Sequence, residues 1–65
     1  MELIPHQQRV VAEKAELDEK LAKLTAFFQT PTFRTLSLDE QSRLYSQAVY
    51  MKGYSAVLGE RIEAF

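Results

Sequence analysis

The 65-residue chain has no cysteine and no tryptophan, and only two glycines, two prolines and one histidine. Without cysteine, neither a disulfide framework nor a thiolate zinc site can hold it together. The lone histidine, His6, has no partner at Glu-x-x-His or His-x-x-x-His spacing, so no metal or other cofactor is expected and a solvent-facing ring is. Excess charge is missing too. Eight Lys and Arg stand against nine Asp and Glu, a net charge of −1, and they are spread along the chain. A protein built to hold phosphate backbones is usually clearly basic, so nucleic acid is not an expected partner. No run of about 18 apolar residues exists to span a bilayer, and the start MELIPHQQ lacks the basic end and apolar core of a signal peptide. A cytoplasmic protein without a membrane partner is expected.

What is present is helical periodicity. Leu3, Val10, Leu17 and Leu24 recur every seven residues, and Leu21 and Phe28 follow Leu17 and Leu24 by four, which makes one apolar seam. Ala12, Glu16, Glu19 and Lys23 fall on the opposite side. Glu16 with Lys20 and Glu19 with Lys23 are favourable pairs four apart, each worth about 0.2 to 0.5 kcal/mol. Pro5 suits a first turn, where a missing N–H costs nothing. These signals predict a helix over about 5–29, ended by Thr30-Pro31 because the residue before proline is pushed out of the helical region. In the corner, 30–37, the segment PTFRTL has room for one helical turn that tucks Phe33 and Leu36 over the end. Ser37 with Glu40 forms a capping box that starts a second helix over about 38–64.

The second helix carries a regular seam of Leu44, Ala48, Met51, Ser55, Leu58, Ile62 and Phe65. Its reverse side is largely apolar too: Val49, Tyr50, Gly53 and Val57 gather there, with Ser46 and Ala64, interrupted by Arg43, Lys52, Glu60, Arg61 and Glu63 mostly at the flanks or in the last turn. The alternative is that Tyr50, Tyr54 and Val57 form only a semi-exposed patch. A helix apolar on two faces must bury both, and a lone pair of helices buries one. A chain this short also has a core that barely offsets ordering entropy of about 1.5 kcal/mol per residue. The expected architecture is therefore all-α: a single domain forming an antiparallel two-helix hairpin, which pairs as a homodimeric four-helix bundle. Val49, Tyr50, Gly53, Tyr54, Val57 and Arg61 are the candidate interface residues. Tyr45 joins Tyr50 and Tyr54 as a contact-prone aromatic, since tyrosine gives large contact area at low entropy cost. Arg43 and Arg61 are placed to ring such a surface.

Chemistry is harder to find. KGYSAVLGE offers a lysine and two glycines, but a phosphate loop needs G-x-x-x-x-G-K-[ST] after a strand, and spacing, lysine position and strand all disagree. Each glycine instead costs a helix about 1 kcal/mol against alanine, so close packing is the better reason for it. Gly53 and Gly59 point about 120° apart, which predicts two different contacts: Gly59 within the hairpin, Gly53 with another chain. Ser37, Ser42, Ser46 and Ser55 have no neighbouring histidine to act as base. Glu13, Glu16, Asp18 and Glu19 are interleaved with lysines and read as solvated surface. A catalytic role is not expected.

Several segments together have a familiar look. They are the Arg9-Val10 opening, Glu16-Leu17-Asp18, Leu24 to Phe28, Glu40-Gln41 with Arg43-Leu44, and the ending Tyr54-Ser55-x-x-Leu58-Gly59-Glu60-Arg61-Ile62. The chain resembles small uncharacterised helical accessory proteins encoded by tailed bacteriophages and prophages. That resemblance implies an accessory protein at work in a bacterial host cell, binding a host or phage protein, and carries no catalytic or ligand-binding residues with it. The alternatives are a structural or assembly subunit and, with less support, a nucleic-acid-associated regulator.

Overall fold

The computed structural model describes residues 2–65, which form three helices: α1, Pro5–Phe27; α2, Pro31–Thr35; and α3, Leu38–Glu63. The all-helical expectation holds, and the corner contains a short helix of its own. Pro5 opens α1, and the Gln7 side-chain carbonyl accepts from the Ile4 N–H at 3.2 Å. The helix stops two residues before position 29 because Thr30 is extended, with φ −91° and ψ 152°, as its following proline requires. Thr30 then joins two elements. Its hydroxyl donates to the Phe27 carbonyl at 2.7 Å and accepts from the Phe33 N–H at 3.3 Å, so it ends α1 and caps α2. Ser37 caps α3 by accepting from the Glu40 N–H at 3.1 Å. The reciprocal half of the expected box is replaced: the Glu40 carboxylate pairs with Arg43 at 2.8 Å.

Three contacts fix the sense in which α1 and α3 run. The His6 ring lies 6.4 Å from that of Phe65 at one end. Asp18 meets Ser55 midway, and Phe28 meets Tyr45 at 4.7 Å at the other end. The two helices therefore lie side by side in opposite directions. Burial follows the middle of the seams read from the periodicity: Val10 on α1 and Ala48, Ser55 and Leu58 on α3 are buried, with Leu17, Leu21, Leu24, Leu44, Met51 and Ile62 half-buried beside them, whereas Leu3 and Phe65 at the seam ends are exposed. The expected opposite side of α1, Ala12, Glu16, Glu19 and Lys23, is exposed. Glu19 pairs with Lys23 at 3.3 Å, whereas Glu16 and Lys20 are not among the ion pairs of the described residues.

The end of the molecule that holds the corner is closed by aromatic rings. Phe33, 3% exposed, sits between Phe28 at 5.1 Å, Tyr45 at 5.3 Å and Phe27 at 5.8 Å. This is the tuck expected of Phe33. Tyr45 contributes one side of its ring to this cap and stays half exposed. Removing a buried phenylalanine side chain costs about 3 to 5 kcal/mol, against total stabilities of about 0.05 to 0.15 kcal/mol per residue. Phe33→Ala is expected to remove a third or more of the stability and lower the urea midpoint steeply by circular dichroism, and Phe33→Leu to lower it much less.

Candidate functional site

Two places carry side chains that the fold singles out. The first lies inside the α1–α3 seam. Ser55 occupies a strictly apolar line and is 9% exposed, so its hydroxyl must find a partner. It donates to one Asp18 carboxylate oxygen, while the Lys14 ammonium holds the other at 2.7 Å. Lys14 and Asp18 share a face of α1 because they are four residues apart. The hydrogen bond from Lys14, then that from Ser55, hold the Asp18 carboxyl below its ordinary value of 3.8, against a weaker upward push from partial burial. The Lys14 stem also crosses Gly59, where an added Cβ would stand 3.4 Å from the lysine Cε.

Asp18 was expected among solvated carboxylates, and the structure corrects this: its side chain is 44% exposed and bridges to the other helix. The signal available in the sequence was Ser55 itself. A hydroxyl on an otherwise apolar seam implies a polar partner on the facing helix, and Asp18 follows the seam residue Leu17 directly. Chemically, the cluster is satisfied: a carboxylate held as an anion by a cation and a hydroxyl is a poor base near neutral pH. Among the described residues no side-chain polar atom is buried without a partner, and no group of three His, Cys, Asp or Glu is placed to hold a metal ion.

The second place is the reverse face of α3. Tyr50 is 76% exposed, Val49 65%, Val57 52% and Tyr54 47%, and Gly53 and Arg61 are exposed among them. All six candidate interface residues thus lie on surface that α1 does not cover. Beside them runs an open groove of about 460 Å³, lined by Arg43, Ser46, Gln47, Tyr50, Met51 and Tyr54. Gly53 and Gly59 differ as their directions require: a Cβ at Gly53 would meet nothing within 4 Å, whereas Gly59 faces Lys14. Arg43 is held toward Glu40, so Arg61 is the arginine left unpaired at this face among the described residues. No described helix is long and apolar enough to cross a membrane.

A small all-helical chain whose polar side chains serve its own packing, with apolar surface left over on one helix, is the class these features define. The chain belongs to the Sequestin family, whose family model matches residues 4–64. It is also 36% identical, over 63 residues covering 97% of this chain and 98% of the relative, to an uncharacterised 7.5 kDa protein from the denB–rIIB intergenic region of Enterobacteria phage T4. These similarities place it among small phage proteins, as the sequence resemblance implied. No solved structure matches the chain.

The Asp18 cluster gives a pH dependence with a definite sign. A carboxyl whose value is lowered on folding adds stability above its unfolded value, about 3.9 for a free aspartate, and that stability is lost as the pH falls through the lower folded value. Wild type is therefore expected to resist urea better than Asp18→Asn at pH 6 to 7. The gap should close progressively below about pH 4; a gap that stays constant down to pH 2 would show that ionisation of Asp18 contributes nothing.

Proposed function

We propose that this is a phage accessory protein that works by binding, without catalysis, in the cytoplasm of the infected cell: two hairpins pair into a four-helix bundle, and the assembled surface engages a host or phage protein. The reverse face of α3 carries this reading. Four large side chains on one helix face are 47 to 76% exposed, although burying each fully is worth about 1.5 to 3 kcal/mol.

The shape of the chain supports pairing. The Cα radius of gyration is 15.0 Å and the extents are 49 × 15 × 13 Å, where a compact domain of this length has a radius of about 11 Å. The accessible surface is 5067 Å², about 800 Å² more than the roughly 4250 Å² typical of a folded monomer of this mass. About 800 Å² per partner is what a specific protein interface of ordinary size removes from water. A second copy laid against α3 accounts for that excess and leaves the charged outer side of α1 facing solvent. The groove beside Arg43, Gln47 and Tyr54 lies at the edge of such an interface, where a foreign protein can reach it.

Sedimentation equilibrium tests the pairing: a species of twice the 7.5 kDa chain mass is expected, and Val57→Glu should return it to the chain mass while retaining helical circular dichroism if the single chain stays folded. Growth of the mass with concentration beyond two chains would favour an assembly subunit instead. Affinity capture from infected bacterial lysate tests the partner. Recovery of one protein by wild type, lost with Tyr54→Ala, is the expected result, and recovery of nothing beyond the protein itself would count against a foreign partner.

A further inference from the structure

The uncovered face of α3 is nearly symmetric about Gly53. Val49 and Val57 stand four residues to either side of it, Ser46 and Glu60 seven, and Ser42 and Ala64 eleven. At about 100° per residue all six fall within about 40° of the line through Gly53. Read along the helix, the row runs serine, serine, valine, glycine, valine, glutamate, alanine, so the two valines mirror each other and a hydroxyl donor stands opposite a carboxylate acceptor when the row is reversed. Between Ser42 and Ala64, Glu60 is the only charged residue in it. A two-fold contact demands such a patch, because the same surface must complement itself when reversed.

We infer that two copies pair through this row, α3 against α3 in opposite directions, with the two-fold axis passing at Gly53. This rests on the reading of a paired chain and adds its register. Each Val49 then lies against Val57 of the other copy. Each Ser46 hydroxyl faces the Glu60 carboxylate of the other, donor to acceptor. The two Gly53 residues meet on the axis, where the helices come closest.

Gly53 supplies an observation independent of the pattern. Nothing in its own chain lies within 4 Å of the position a Cβ would occupy, and its φ is not positive. Neither internal packing nor backbone conformation accounts for a residue that weakens the middle of a helix. A crossing point does, because helix axes approach to about 8 Å only where the side chains between them are small. Tyr50 and Tyr54 flank the row on one side, at the edge of the contact.

The absence of cysteine makes the register directly measurable, since any thiol introduced is the sole one. A disulfide forms readily only between residues whose Cα atoms are about 4.4 to 6.8 Å apart. Val49→Cys and Val57→Cys chains, one carrying a size tag, are mixed, oxidised mildly and separated without reductant. Preferential formation of the mixed Val49–Val57 dimer over either like pair is expected, as is ready self-linking of Gly53→Cys, with Lys23→Cys on the far side of α1 as a control that links poorly. Like pairs equal to or exceeding the mixed dimer would overturn this register. Wild type sedimenting at twice the chain mass alongside that result would overturn the register alone, whereas wild type at the chain mass would overturn the pairing as well.

Discussion

Two helices laid side by side can each bury one face, and among the described residues the third helix is only the five-residue α2 at the corner. This limit governs the rest of the molecule. It sets the thin, 49 Å long shape, confines the buried apolar residues among those described to Val10, Phe33, Ala48 and Leu58, and leaves whatever apolar residues lie on the other side of α3 in contact with water. On α1 the outer side is filled with charge, so the limit costs little there. On α3 it is filled with valine and tyrosine, and the cost remains until something covers them.

Within the seam, order is imposed at two points of different character. At the corner, Phe33 fills the space between Phe27, Phe28 and Tyr45, which closes the end by shape. Midway, Asp18 reaches Ser55 across the helices, which fixes the axial position of one helix on the other by a directional bond. Apolar seams slide more readily than hydrogen bonds, so a single buried hydroxyl with one available partner specifies register more sharply than its own small energy suggests. Lys14 completes the arrangement by keeping Asp18 charged and by laying its aliphatic stem over Gly59.

The same economy bears on function. The polar groups that a sequence reader would inspect for chemistry are engaged in structure: Ser37 and Thr30 cap helices, Ser55 and Asp18 join them, and Glu40 restrains Arg43. Membership of the Sequestin family and similarity to a phage T4 protein set the biological context as that of a bacteriophage. What α1 leaves uncovered is the reverse face of α3, with Val49, Tyr50, Tyr54 and Val57 exposed.

Much of this was legible in the residues because helices are local. The spacing of Leu17, Leu21 and Leu24, the Leu44 to Ile62 line, the proline stop at Pro31 and the serine cap at Ser37 each depend on neighbours within a few positions, so the order of the helices and their buried faces could be read before any contact was known. Asp18 was misjudged for the complementary reason. It sits among lysines and glutamates in sequence, and only its place opposite Ser55, 37 residues away, turns it inward. The contact of Tyr45 with Phe28 and Phe33 likewise joins residues from three helices or their ends, which spacing within one helix does not show. Sequence by itself determined where the helices begin, end and turn apolar, since backbone geometry and period suffice for that. Tertiary structure alone decided which polar groups meet across the seam and which rings close the corner, because those depend on how α1 lies against α3, a quantity that no local pattern contains.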